Sequence, residues 1–230
     1  MCRSSKSAFF CISIVPIVVS FMNRPIRLAV LLSGSGTTLQ NLLNRSAAGL
    51  LDAQVVVVVS SQPGAGGLQR ADKAGIANAV VERKKCATVE EFSQGILTVC
   101  RKARADLVCL AGFLQLLHIP EDFYGRVMNI HPALIPAFCG KGYYGHRVHE
   151  AVLGSGVKMT GCTVHFADNQ YDHGPIIIQR TVPVLDDDTP ATLAARVFEQ
   201  ECEAYPEAIN LFAQGRLHIE GRRVLIRTEK

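Results

Sequence analysis

The stretch IRLAVLLSGSGTTLQNLLNRSAAGLLDAQVVVVVS, from Ile26 to Ser60, decides the fold. IRLAVLLS is an apolar run suited to a parallel strand covered on both faces. The glycine-rich SGSGTT turns the chain, and TLQNLLNRSAAG then reads as a helix closed by Gly49. VVVVVS is a second buried strand. Strand, glycine turn, helix and strand in that order open a doubly wound α/β sheet.

The alternation continues downstream. AGGLQRADKAG is a short helix ending at Gly75, and ANAVV a third strand. Thr88 followed by Glu91 predicts a capping box at the head of the helix TVEEFSQGILTVCRKA. DLVCLAG is a fourth strand and VMNI a short fifth. The second half then changes character. HRVHEAVLG is helical, but TGCTVHFA and IIIQRTVPV are strands with only a turn between them, which predicts an antiparallel excursion. Thr189 caps a long helix with Pro190 at its first position, running to about Gln214. RLHIEGRRVLI closes the chain as a hairpin turning near Glu220 and Gly221. The expected architecture is a single α/β domain over residues 25–230. Its sheet is doubly wound, twisted and mostly parallel, with an antiparallel C-terminal portion.

Residues 1–24 stand apart. Basic residues precede an apolar run from Ala8 to Phe21, which superficially matches an export signal. That run is short for a membrane span and is interrupted by Pro16. No clear small-x-small cleavage site precedes Met22, which opens MNRPIRLAVLLSGSG as a natural start. We expect an N-terminal extension outside the fold.

Composition bounds the function. The 230 residues are 48% hydrophobic and 19% charged, the balance of a globular domain. The net charge of +4 comes without a Lys/Arg stripe interleaved with aromatics, which argues against nucleic acid as a ligand. The eight cysteines form no C-x-x-C pair and no finger-spaced His/Cys cluster, so we expect reduced thiols in a cytoplasmic protein and no metal. Several, such as Cys109 and Cys162, sit in apolar runs where Cys behaves as a small hydrophobe.

Three motifs carry chemistry. Gly34 and Gly36 follow a buried strand and precede a helix, so backbone N–H groups and the helix dipole favour an anion there, most naturally one phosphate. Thr37 and Thr38 add hydroxyl donors. The pattern is neither G-x-G-x-x-G nor a P-loop. In NIHPALIP, Asn129 and His131 project to the same side of a strand end. An amide donor beside an imidazole suits acyl or formyl transfer, one group bonding the oxyanion and the other shuttling a proton. In DNQYDHGP a carboxylate after the TVHF strand is within reach of His131. Asp168 and Asp172 both qualify on spacing. Cys139 lies near this site without a positioned base and is not read as a nucleophile. His146, His149 and His218 are read as surface or helix residues, and His165 as a hydrogen-bonded core histidine.

SGSGTTLQNLL, LAGFLQLL, NIHPALIPAF, TVHFADNQYDHGPII and EQECEAYP, in this order, resemble the folate-dependent glycinamide ribonucleotide transformylase family, from about Ile26 to Ile226. The resemblance implies a formyltransferase-like Rossmann variant. It implies an enzyme of purine biosynthesis that moves a formyl group from 10-formyltetrahydrofolate, its co-substrate, to the amine of 5-phosphoribosylglycinamide. It assigns catalysis to Asn129, His131 and Asp172, and so chooses between the two aspartates. It places the ribonucleotide and its phosphate at Gly34, Gly36, Thr37 and Thr38, where the family commonly has Gly-Ser-Asn, and the amine at Glu201. Folate falls to Leu114, Gln115, Leu116, Leu117 and Asn129, and to the loop Asp168, Asn169, Gln170, Tyr171 and Asp172. An Arg that often meets the folate tail is replaced by Val89, with Arg83, Lys84 or Lys85 as substitutes. Lys141, in the longer CGKGYYG stretch, is a phosphate neighbour. The partners implied are small molecules, with no membrane, and a monomer or homodimer is expected. Alternatives are another folate-dependent formyltransferase, a formyltetrahydrofolate hydrolase or, from a different class, a non-catalytic phosphate-binding module. The first two usually carry a further domain, and a transferase acting on initiator tRNA a basic C-terminal one.

Overall fold

The computed structural model describes residues 24–228, so the expected N-terminal extension lies, apart from Arg24, outside the described residues. Five parallel strands form one half of the sheet: β1 (Ile26–Leu32), β2 (Ala53–Ser60), β3 (Asn78–Val80), β4 (Leu107–Leu110) and β5 (Val127–His131). β6 (Met159–Phe166) runs antiparallel to β5, and β7 (Ile176–Pro183) antiparallel to β6. The hairpin of β8 (Leu217–Glu220) and β9 (Arg223–Ile226) joins the edge of the same sheet through β7. The full order is β3-β2-β1-β4-β5-β6-β7-β9-β8.

The side chains of β1 explain why this sheet is covered on both faces. Leu28, Val30 and Leu32 enter one core, while Ala29 and Leu31 enter the other, as the two-residue period of a strand requires. The first core also takes apolar residues of α1 (Thr37–Ala47), α2 (Gly66–Lys73), α4 (His146–Ser155) and α5 (Pro190–Ala213). The second is closed by α3 (Val89–Lys102) through Phe92, Ile96 and Leu97, all buried. The expected α/β class, parallel first half and antiparallel second half are all present. Among the described residues no helix is long and apolar enough to cross a membrane.

Two local expectations are adjusted, and one helix carries an unforeseen tie. Thr88 caps α3 by accepting from the Glu91 N–H at 3.1 Å, but the Glu91 carboxylate accepts from Ala87 N–H at 2.7 Å, not from Thr88. The capping box is therefore displaced by one residue on its return bond. The link between β6 and β7 is a loop over residues 167–175, longer than a turn. In α5, Pro206 lacks the N–H that would bond the Cys202 carbonyl four residues earlier. That carbonyl accepts instead from Asn41 Nδ2 of α1 at 3.0 Å. A second tie, the Arg45–Glu203 ion pair, joins the same two helices. The turn of α5 that carries Glu201 is thus held against the helix that follows the glycine loop.

Candidate active site

The strand order reverses between β1 and β4, so the loops leaving their C-terminal ends diverge and open a crevice. The Ser33 hydroxyl accepts from Leu114 N–H at 3.0 Å and shares a hydrogen bond with Ser61 Oγ at 2.7 Å, tying the loops after β1, β2 and β4 together. Gly36 adopts φ +73°, and a Cβ there would stand 2.5 Å from Gly67 Cα. Only glycine fits this approach of α1 to α2. No side chain caps α1, and Ser35, Thr37 and Thr38 line a cleft of about 710 Å³. Uncapped first-turn N–H groups beside a cleft are of the kind that suits an anion.

The same cleft is lined by Asn129, His131 and Asp172. Asn129 and His131 leave β5 on one side, two residues apart. Asp172 arrives from the 167–175 loop in the left-handed region, φ +51°. Gly174 makes that loop possible, because a Cβ there would meet the Phe166 carbonyl oxygen at 1.9 Å. One Asp172 oxygen accepts from Asn129 Nδ2 at 3.2 Å. The other accepts from Gly140 N–H at 2.9 Å and lies 3.6 Å from His131 Nδ1. His131 Nε2 faces the Phe138 carbonyl at 2.9 Å. Both nitrogens of the His131 ring therefore point at oxygen acceptors. Phe138, which supplies one of them, is itself held at φ +50°. Positive φ at two non-glycine residues around one imidazole is strain of the kind that collects at functional sites.

His165 completes this arrangement. It is 1% exposed and directly opposite Asn129 in the β5–β6 pairing. Its Nδ1 donates to the Phe166 carbonyl at 2.9 Å, leaving Nε2 to accept from Asn129 Nδ2 at 3.0 Å. Burial lowers its pKa and keeps the ring neutral, the form this relay requires. Both N–H bonds of the Asn129 amide are therefore engaged, one with His165 and one with Asp172. The sequence pattern identifies His165 as a hydrogen-bonded core residue, which it is. Its partner, set by cross-strand register, is not readable from spacing.

Glu201 of α5 also lines the cleft, and burial raises its carboxyl to about 7. Lys141, Tyr143 and Tyr144 of the CGKGYYG stretch form part of the wall. Of the segment from Leu114 to Leu117, Leu114 lines the cleft and Leu117 is buried in the second core. Tyr171 reaches the cleft alongside Asp172. Asp168 instead accepts from Gln170 N–H and pairs with His173 at 2.6 Å, bracing the loop. Asn169 Oδ1 accepts from Ile119 N–H at 2.6 Å, fastening the loop to the segment after β4. Lys84 and Lys85 pair with Glu82, and Arg83 donates to the Cys86 carbonyl. Burial, then the Asp172 charge, raises the Cys139 thiol above its ordinary range, as suits a non-nucleophile. His146 and His149 stand on α4 as expected, but His149 is 4% exposed and belongs to the cleft wall, not the surface. Among the described residues no His/Cys/Asp/Glu group is placed to hold a metal ion.

Residues 26–209 match the family described as "Formyl transferase". The chloroplastic phosphoribosylglycinamide formyltransferase of Vigna unguiculata is 39% identical over 193 residues, covering 83% of this chain and 62% of that protein. The trifunctional purine biosynthetic protein adenosine-3 of Homo sapiens is 39% identical over 202 residues. That match covers 87% of this chain, which spans only 20% of the human protein. Among solved structures, glycinamide ribonucleotide transformylase 1 from Symbiobacterium toebii superposes with a TM-score of 0.82 at 41% identity, covering 89% of this chain and 95% of that one.

Proposed function

The chain belongs to the formyl transferase family, and within it we propose that this protein transfers the formyl group of 10-formyltetrahydrofolate to the amine of 5-phosphoribosylglycinamide. The observation that carries this reading is one cleft lined both by Ser35, Thr37 and Thr38 of the glycine loop and by the Asn129–His131–Asp172 cluster. The apolar wall of Phe113, Leu114 and Ile130 beside that cluster fits a flat, partly polar ring system. When bound, the folate co-substrate supplies the activated formyl carbon.

The residues then divide the work. The Gly34–Thr38 loop holds the phosphate and so fixes the acceptor's reach. Glu201 accepts from the acceptor amine and orients its lone pair. As the amine–carbon bond forms, negative charge develops on the formyl oxygen. Asn129 Nδ2–H donates to that oxygen, and a protonated His131 donates beside it through the Nε2–H now turned to the Phe138 carbonyl, while Asp172 holds the Nδ1 side of the charged ring. His131 gives its proton to the departing folate nitrogen as that nitrogen's bond to carbon breaks, and the neutral ring then takes up the proton lost by the amine. The enzyme forms no covalent bond. The Asn129 N–H now given to Asp172 becomes available when Asp172 turns its charge to the protonated ring.

The six described cysteines, none in a disulfide, suit a cytoplasmic setting. The direct test mixes the protein with 10-formyltetrahydrofolate, with and without phosphoribosylglycinamide, and follows the folate absorbance. Turnover only with the ribonucleotide is expected. Turnover without it would indicate a hydrolase, and none in either mixture a binding module.

A further inference from the structure

Helix α4 buries Val148, His149 and Val152. Val148 and Val152 lie one turn apart and join the first core. His149, turned about 100° from Val148, leaves that core and lines the cleft together with His131, Glu201 and Thr38. It is more than nine-tenths buried, at 4% exposure. Its Nδ1 has no hydrogen-bond partner among the described residues. The other buried side-chain atoms in that condition, Thr160 Oγ1 and Arg180 Nε, belong to residues outside the cleft lining. A buried ring nitrogen without a partner is rare in a finished core, because the unmade bond leaves the desolvation penalty of its atom in full. The His149 ring lines a cleft, where a small turn of the side chain lets a bound molecule supply the partner.

Resting on the reading of the preceding subsection, we propose that His149 is a substrate-positioning residue whose imidazole hydrogen-bonds a ribose hydroxyl of the bound acceptor ribonucleotide.

The chemistry suits a hydroxyl. Burial, with the neighbouring His146 and His131 adding to it, lowers the His149 pKa to about 4, so the ring is neutral at physiological pH. A neutral imidazole offers one donor and one acceptor, and a hydroxyl can pair with either nitrogen because it both donates and accepts. The phosphate already has the uncapped start of α1. A ribose linking that phosphate to an amine at Glu201 must cross the cleft between them, and His149 is in the wall of that cleft.

The test compares wild type with His149→Phe, which keeps the ring volume and deletes both polar atoms, and His149→Gln, which keeps a donor and an acceptor. Steady-state kinetics are measured for phosphoribosylglycinamide with the formyl donor saturating, and the reverse. In His149→Phe the KM for the ribonucleotide should rise about ten- to a hundredfold, the scale of one hydrogen bond to a buried group. The KM for the formyl donor should hold, and His149→Gln should recover most of the loss. An unchanged ribonucleotide KM in His149→Phe, or an equal rise for both substrates, overturns the assignment. A wild type that does not turn over the ribonucleotide overturns the proposed function itself, whereas an active wild type matched by His149→Phe removes His149 alone. Thermal unfolding of each variant identifies a purely structural role, which would lower the midpoint and leave the ribonucleotide KM in place.

Discussion

At the scale of single residues, chemistry and position are legible to different depths. The pairing of Asn129 with His131 follows from a period of two along a strand, and the structure places both in one cleft. Spacing leaves Asp168 and Asp172 equivalent. The folded loop separates them, since Asp168 turns to His173 while Asp172 sits 3.6 Å from His131 Nδ1. The contact between His165 and Asn129 was not legible, because it depends on a register between segments 36 residues apart. Glu201 yields a prediction at this scale. Its carboxyl ionises near 7 in the folded chain, against an ordinary 4.5. Between those values the unfolded chain releases a proton that the native protein keeps. The contribution to stability is therefore full below about 4.5 and is lost as pH rises through about 7. Glu201→Gln does not titrate. It should match wild type in thermal unfolding at pH 5 and exceed it at pH 8 by on the order of 1–3 kcal/mol. An equal shift at both pH values would contradict the buried-carboxylate account, and a gain in stability with loss of turnover would be the usual compromise of a functional site.

At the scale of elements, the strands and helices were legible because their signals are local. β1 and β2 are apolar runs, Thr189 caps α5 by accepting from Thr192 N–H at 3.2 Å, and Gly49 and Gly75 follow their helices at positive φ. What escaped a local reading is how elements are tied to one another. The return bond at α3 reaches Ala87 because the Glu91 side chain finds that N–H free outside the helix. The tie between α1 and α5 exists because Pro206 leaves a carbonyl open and Asn41 fills it, a relation between positions 161 residues apart. Asn41→Ala should cost about 1 kcal/mol of stability through that unpaired carbonyl. Because the same turn carries Glu201, the KM for the ribonucleotide should rise more than that for the formyl donor. Denaturant unfolding with parallel kinetics checks both halves, and equal changes in the two KM values would break the link between this contact and the acceptor end of the cleft.

For the whole molecule, the sheet brings together what the chain keeps apart. β1 delivers the glycine loop, β5 delivers Asn129 and His131, and the loop after β6 delivers Asp172. α5 crosses the sheet beside them, with the Tyr205 hydroxyl donating to the Leu110 and Met128 carbonyls at 3.1 and 2.8 Å. The class of this architecture follows from the order of apolar runs. The attachment of the C-terminal hairpin to β7 does not, since a single bridge pair between Ile176 and Arg223 makes the join. Arg222 of that hairpin also donates to the His173 carbonyl at 2.8 Å, so the far edge of the sheet steadies the loop that carries Asp172. These elements therefore converge on one carboxylate, Asp172. The most direct measurement is the turnover of Asp172→Asn in the ribonucleotide-dependent formyl-transfer assay, with circular dichroism to verify the fold. Turnover should fall by a factor on the order of 10² or more while the fold persists; near-normal turnover would remove Asp172, and the arrangement built around it, from the mechanism.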